Sequence, residues 1–227
     1  MSWVESAEAQ GFATIPEVLG RGEIGDLIEE LSRTELPRSR AGIRHAMKLP
    51  TVAAVARDSR LLGIAQGVLG KGAIPFRATL FDKSPTANWL VVWHQDTALP
   101  LRERQETPGW GPWSIKDGVI YAHAPASALS RVLALRLHLD DSTAENGPLR
   151  VLPGTHTLGV LTDDETHELS TNVAPVDCEV PSGGVLAMRP LIVHASSKSH
   201  SGFPRRVLHI EYAASSAPES GLELEVV

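Results

Sequence analysis

The apolar pattern of this chain changes period at Ile74. Ahead of that point the spacing is helical. Ile24, Leu27, Ile28 and Leu31 fall at i, i+3, i+4 and i+7, one stripe of a helix. Asp58 is placed to cap a second helix carrying Leu61, Leu62, Ala65, Val68 and Leu69, with Gly70 as its terminator. Gly42–Ala56 reads as partly helical, with Pro50 interrupting it. Beyond Ile74 the period is two, and the alternation is cut into short runs: 75–82, 89–95, 131–139, 148–152, 173–180, 184–189, 191–195 and 206–213. Turn residues separate them, among them Ser84-Pro85, Asn146-Gly147-Pro148, Pro153-Gly154 and Ser182-Gly183-Gly184. Short strands at loosely regular spacing predict a mainly β fold with flanking helices, a double-sheet sandwich or jelly roll (the double-stranded β-helix).

A length of 227 residues suits one large domain. The expected division is a helical part over 1–73 and a jelly-roll core over 74–215. The stretch 101–130 is rich in Pro, Gly, Trp and charge and long for a connection, so it is expected to be a lid-like insertion. The net charge of −6 argues against nucleic-acid or anionic-membrane partners, which require a basic face. No apolar run reaches membrane-spanning length. The N-terminus lacks the basic and apolar regions of a signal peptide. A single cysteine, Cys178, excludes an internal disulfide and points to a reducing, cytoplasmic compartment.

His94 and Asp96 end an apolar run, and residues i and i+2 of a strand share a side. With nine His and 27 acids in 227 residues, chance yields about one His-x-acid, and three occur: His94/Asp96, His138/Asp140 and His209/Glu211. Spacing alone therefore leaves His138/Asp140 as a competitor. His194 sits in Leu191-Ile192-Val193-His194-Ala195-Ser196, where a basic side chain has little structural use. Two histidines and one carboxylate with open positions form the facial triad of non-haem iron oxygenases. Arg205-Arg206 opens the next apolar alternation. An arginine turned into a core needs an anion, and its fork suits a carboxylate. Spacing does not say which of the two faces inward.

These residues resemble the phytanoyl-CoA dioxygenase family over most of the chain. Gly11–Pro16 resembles the family's opening strand and 23–33 its first helix. Trp93-His94-Gln95-Asp96 matches its iron-binding His-x-Asp. Asp140-Asp141, followed by Glu145 to His156, resembles its central signature, and Pro190–Ser196 its distal-histidine strand. By this resemblance His94, Asp96 and His194 are the metal ligands. Arg205 holds the distal carboxylate of 2-oxoglutarate with help from Ser196, Gln95 contacts the co-substrate, and Trp113 walls the site. His156 reads as structural.

The resemblance implies an Fe(II)- and 2-oxoglutarate-dependent dioxygenase that uses O2. It would hydroxylate an unactivated C–H bond of a small metabolite, releasing succinate and CO2. Related halogenases lack the carboxylate ligand, and Asp96 is kept here, which favours hydroxylation. Arg102 and His45 are expected among the specificity residues. Two other readings are a cupin-like metalloenzyme without 2-oxoglutarate and a non-catalytic metabolite-binding jelly roll.

Overall fold

The front of the chain folds as its helical spacing predicts. In the computed structural model, which describes residues 2–219 and 221–227, α1 (Trp3–Ala9) leads into β1 (Phe12–Ile15) and α2 (Arg21–Arg33). Ile24, Leu27 and Leu31 of α2 are buried, and Ile28 packs at the margin of the same cluster. Glu23 starts this helix by accepting the Gly20 amide at 2.8 Å. A short hairpin, β2 (Arg38–Ser39) and β3 (Gly42–Ile43), precedes α3 (Pro50–Ala56) and α4 (Ser59–Leu69). Pro50 begins α3 instead of interrupting a helix, because its fixed φ suits the first turn, where no amide partner is needed. Asp58 caps α4 by accepting the Arg60 amide at 2.9 Å, and Gly70, at φ 88°, ends it.

The strands that follow are β4 (Ile74–Lys83), β5 (Val91–His94), β6 (Ala98–Leu101), β7 (Trp113–Lys116) and β8 (Val119–His123). After a short α5 (Ala126–Leu129) come β9 (Val132–His138) and β10 (Leu149–Val151). Then follow α6 (Asp163–Asn172), β11 (Val176–Cys178), β12 (Val185–Met188), β13 (His194–Ser196) and β14 (Arg205–Ala213). The larger sheet runs β1-β12-β9-β14-β4-β3-β2 and faces a smaller sheet, β11-β10-β13-β5. Neighbours in both are antiparallel, which is the expected jelly roll.

The two-residue period splits the central strands into two faces. Ala78 and Leu80 of β4, Leu133, Leu135 and Leu137 of β9, and Leu208 and Ile210 of β14 pack outward against the helices. Burying each leucine or isoleucine is worth about 1.5–3 kcal/mol against leaving it in water. The alternate positions face the smaller sheet, and several are ionisable: Arg77, Arg136, Arg205, His209 and Glu211. Strand β9 is thus buried on both faces, so its polar residues are committed to the interior.

Three expectations are corrected. The stretch 101–130 is not a strandless connection. It holds the β7–β8 hairpin, which pairs back onto β6. Asp117 (φ 51°) and Gly118 (φ 82°) turn it, the left-handed pair that a two-residue hairpin demands. The run 173–180 narrows to Val176–Cys178, because Val173 caps the end of α6 and the two residues after it carry the chain from the helix to the strand. The run 191–195 starts late. Leu191 to Val193 form a turn in which Thr155 Oγ1 accepts the Val193 amide at 2.9 Å, and the strand begins at His194.

Candidate metal centre

His94 ends β5 and pairs in register with His194, the first residue of β13. Asp96 lies two residues past His94, where its amide donates to the Pro190 carbonyl at 2.9 Å. Donor atoms of the three residues lie within 4.8 Å of one another. His94 Nδ1–H donates to the Val92 carbonyl at 2.8 Å and His194 Nδ1–H to the Ile192 carbonyl at 2.9 Å. Both tautomers are thereby set, and each Nε2 turns toward Asp96, at 3.8 Å for His94 and 3.6 Å for His194. Burial pulls His194 down to about 4 against the attraction of Asp96, so it is the neutral form a metal needs. Burial pushes the Asp96 carboxyl up, but His194, His209, His94 and Arg77 outweigh it and hold it well below the usual carboxylate range. Two imidazole nitrogens and one carboxylate oxygen, with no thiolate, are a donor set that fits non-haem iron.

The triad faces a cavity of about 360 Å³ between the two sheets. Arg205 enters it from β14 and is buried. Its Nε donates to the Asn146 carbonyl at 3.2 Å and an Nη to Ser196 Oγ at 3.3 Å. Ser196 Oγ donates in turn to the Gly147 carbonyl at 2.9 Å. The Asn146-Gly147 turn is tight: Gly147 has φ 68°, and a Cβ there would lie 2.4 Å from the Ser197 carbonyl oxygen. Burial, with Arg136 nearby, lowers Arg205 to about 9, and its polar contacts are to a carbonyl and a hydroxyl, not to a carboxylate. Such a group is poised for an anion.

The structure brings His94, Asp96, His194, Arg205 and Ser196 to one cavity but carries the other expected residues elsewhere. Gln95 points away from it. Its Nε2 donates to the Gly159 and Leu191 carbonyls and its Oε1 accepts the Leu161 amide at 2.8 Å, because strand alternation puts it opposite His94. Trp113, on β7, packs against the apolar cluster of the three-stranded sheet, with the Arg104 guanidinium 5.6 Å from its ring. Arg206 takes the outer face and pairs with Asp140 at 2.7 Å. That pair also uses the acid of the competing His138/Asp140 motif, while His138 is buried inside. Arg102 joins Glu223 in the C-terminal segment. His156 fastens α1 by donating to the Glu8 carbonyl at 3.0 Å, the structural role expected of it.

Several residues at or behind the cavity wall were missing from the sequence reading. Lys83 is 1% exposed and donates to Ser196 Oγ at 2.9 Å and to the Ser197 carbonyl at 2.5 Å. Trp89 walls the cavity, 5.4 Å from the Lys83 ammonium, the part assigned to Trp113. Arg77 binds Glu211 across β4 and β14, with one contact at 2.6 Å. The parity of β4, in which Arg77, Thr79, Phe81 and Lys83 share a side, was the available signal. Arg136 and His209 were singled out in the sequence with their roles left open, and they meet at 3.1 Å on the same inner face.

A jelly roll carrying a two-histidine, one-carboxylate cluster in the wall of its cavity defines the class of non-haem metal-binding β-helix proteins. Residues 7–207 match the model of the phytanoyl-CoA dioxygenase family, and the chain belongs to that family. The family is Fe(II)/2-oxoglutarate dependent, with O2 as co-substrate. The L-proline trans-4-hydroxylase of Streptomyces griseoviridis is 28% identical over 186 residues, 70% of this chain and 62% of that protein. The ectoine dioxygenase of Stutzerimonas stutzeri is 25% identical over 169 residues, 67% of this chain and 49% of that protein. The chain thus spans less than two thirds of the length of these relatives. The structure of the epimerase SnoN from nogalamycin biosynthesis, solved with Fe3+, alpha ketoglutarate and nogalamycin RO, superposes with a TM-score of 0.72. It is 19% identical, over 94% of this chain and 82% of that one, and shows the same fold.

Proposed function

We propose that this chain is an Fe(II)- and 2-oxoglutarate-dependent dioxygenase that hydroxylates a small metabolite. The observation that carries the reading is the shared cavity: the His94–Asp96–His194 donor set and the buried, carboxylate-free Arg205 face one space of about 360 Å³. His94, Asp96 and His194 would hold the iron, and Arg205 with Ser196 the far carboxylate of 2-oxoglutarate. Lys83 adds positive charge at that end. When bound, iron and 2-oxoglutarate together turn O2 into an oxidant for a C–H bond, with succinate and CO2 as the co-products.

The chain's own residues orient and exclude. Thr155 holds the turn that leads into His194. The Asn146 and Gly147 carbonyls fix the Arg205 guanidinium and the Ser196 hydroxyl. Phe81, Trp89, Val91 and Leu149 give the cavity apolar walls that keep bulk water from the reacting centre. Asp96 would supply the third protein ligand to the metal, which favours hydroxylation over halide transfer. The single buried thiol, pushed up to about 12 by burial, is inert.

The test is an anaerobic visible spectrum of Fe(II)-loaded protein before and after 2-oxoglutarate. A charge-transfer band that requires 2-oxoglutarate is expected, absent in His94→Ala and needing far more co-substrate in Arg205→Ala. A folded, iron-loaded protein with no band would overturn the 2-oxoglutarate assignment and leave a cupin-like metalloenzyme or a binding protein.

A further inference from the structure

The cavity has cations at both ends. Lys83 and Arg205 pair across the strands at one end of β4 and β14, and Arg77 pairs with Glu211 at the other. Six residue steps of strand separate the two pairs, roughly 20 Å. Beyond Arg77 lies the mouth, where Arg44 and Lys116 line the cavity. A short diacid anchored on Arg205 does not span that length, so the mouth cations serve a different anion.

The mouth is a built feature. His45 is buried and left-handed at φ 55°, a strained conformation for a residue with a side chain. A hydrogen bond of 3.0 Å between its Nε2 and the Tyr121 hydroxyl holds it there, and Arg44 is the residue immediately before it in the chain. Tyr121 stands on β8, and the Lys116 ammonium from β7 lies 5.1 Å from its ring. The charged groups acting on Lys116 are Arg77 and Arg44, both cations. Arg44 meets Asp117 at 3.5 Å, but both side chains are more than half exposed, and such a pair yields readily to a ligand. The cavity's two carboxylates are committed, Asp96 to the triad and Glu211 to Arg77. Among the described residues lining the cavity, no carboxylate is left to read a cationic group.

We propose that Arg44 and Lys116, ordered by the His45–Tyr121 hydrogen bond, bind an anionic group of the primary substrate, a carboxylate or a phosphate monoester. The proposal rests on the oxygenase reading, since it takes the Arg205 end to be filled by 2-oxoglutarate. In a chain of net charge −6, this basic mouth is a local exception that draws an anion toward the metal.

The test is calorimetry on protein saturated with Ni(II) and 2-oxoglutarate, so that Arg205 is already engaged and nothing turns over. The probes share one ring and differ in charge: cyclohexanecarboxylate, cyclohexyl phosphate, cyclohexanecarboxamide and cyclohexylammonium. At least one anion is expected to bind about tenfold more tightly than the amide, with the ammonium weaker still. Which anion leads separates carboxylate from phosphate. Arg44→Gln/Lys116→Gln should erase that preference and leave amide binding in place, while Arg44→Lys/Lys116→Arg should keep it. Tyr121→Phe, which frees His45 but keeps the ring, should reduce anion preference without changing the affinity for the amide. Equal binding of amide and anion, no anion binding, or an unchanged preference in the double glutamine variant overturns the proposal. The 2-oxoglutarate titration of the same nickel-loaded protein separates the two readings. Failure there sinks the oxygenase assignment, whereas normal 2-oxoglutarate binding without anion preference sinks the mouth assignment alone.

Discussion

Lys83 donates to the Ser196 hydroxyl across 2.9 Å, joining β4 of the larger sheet to the histidine-bearing strand β13 of the smaller one. Burial first, then Arg205 and Arg136, pull this ammonium from its ordinary 10.5 to about 7. The sign follows from proton counting. Between those two values the unfolded chain holds more protons on Lys83 than the folded one, so stability rises with pH through the window, and the full penalty applies below it. Lys83→Met should flatten the rise of the urea midpoint between pH 7 and 9. A slope equal to wild type would assign the titration to another group. A dicarboxylate at Arg205 restores the charged form, so 2-oxoglutarate binding near pH 8 should take up a proton. Calorimetry in buffers of different ionisation enthalpy measures that uptake.

Arg205 and Arg206 are adjacent in sequence and opposite in space, and two substitutions separate them. Arg205→Ala should weaken 2-oxoglutarate binding by about 100-fold, the cost of removing one partner of a buried charge pair. Arg206→Ala should leave that affinity unchanged and lower stability by about 1–3 kcal/mol, because it breaks two charged hydrogen bonds to Asp140. The reverse pattern would place the co-substrate on the outer face.

Gly147 is the position where the signature turn leaves no room. A methyl group there would overlap the Ser197 carbonyl and oppose a left-handed φ of 68°. Gly147→Ala should cost more than about 1 kcal/mol of stability. It should also raise the Kd for 2-oxoglutarate, since the neighbouring carbonyls hold Arg205 and Ser196. Metal affinity should be spared. Equal losses of metal and 2-oxoglutarate would mean that the turn supports the whole sheet rather than that end of the cavity.

Metal binding is testable without turnover. Nickel at about 100 times its Kd should add about 2.7 kcal/mol to the unfolding free energy by mass action, and chelation should remove it. His194→Ala should abolish the shift while remaining folded, because His194 supports its neighbours through one backbone contact. A wild-type protein whose stability ignores nickel would not carry a metal centre at this cluster.

The two-period alternation of the β strands, the helical stripe of α2 and the caps of α4 were legible because they are local: each depends on residues a few positions apart. The triad needed more. Three His-x-acid pairs were indistinguishable by spacing, and only the resemblance over the whole chain singled out His94 and Asp96. Trp113 was the natural choice for a wall, since it is an aromatic in a lid-like stretch. Yet Asp117-Gly118 turns that stretch into a hairpin that packs Trp113 away and leaves the wall to Trp89. Gln95 was misplaced by adjacency, for a residue between two ligands on an extended chain faces the opposite side.

By itself the sequence determined the periods, the turns, the ligand types and the inward parity of each strand. It could not determine which inward faces meet. Lys83 reaches Ser196 over 113 positions, and His45 reaches Tyr121 over 76. Those contacts exist because antiparallel pairing of β4, β14 and β9 and the closure of one sheet over the other fix a register that no local pattern encodes. Strand periodicity assigns a charge to the interior. The register of distant strands decides whether it meets a counter-charge, as Arg77 does in Glu211, or remains free for a ligand, as Arg205 does.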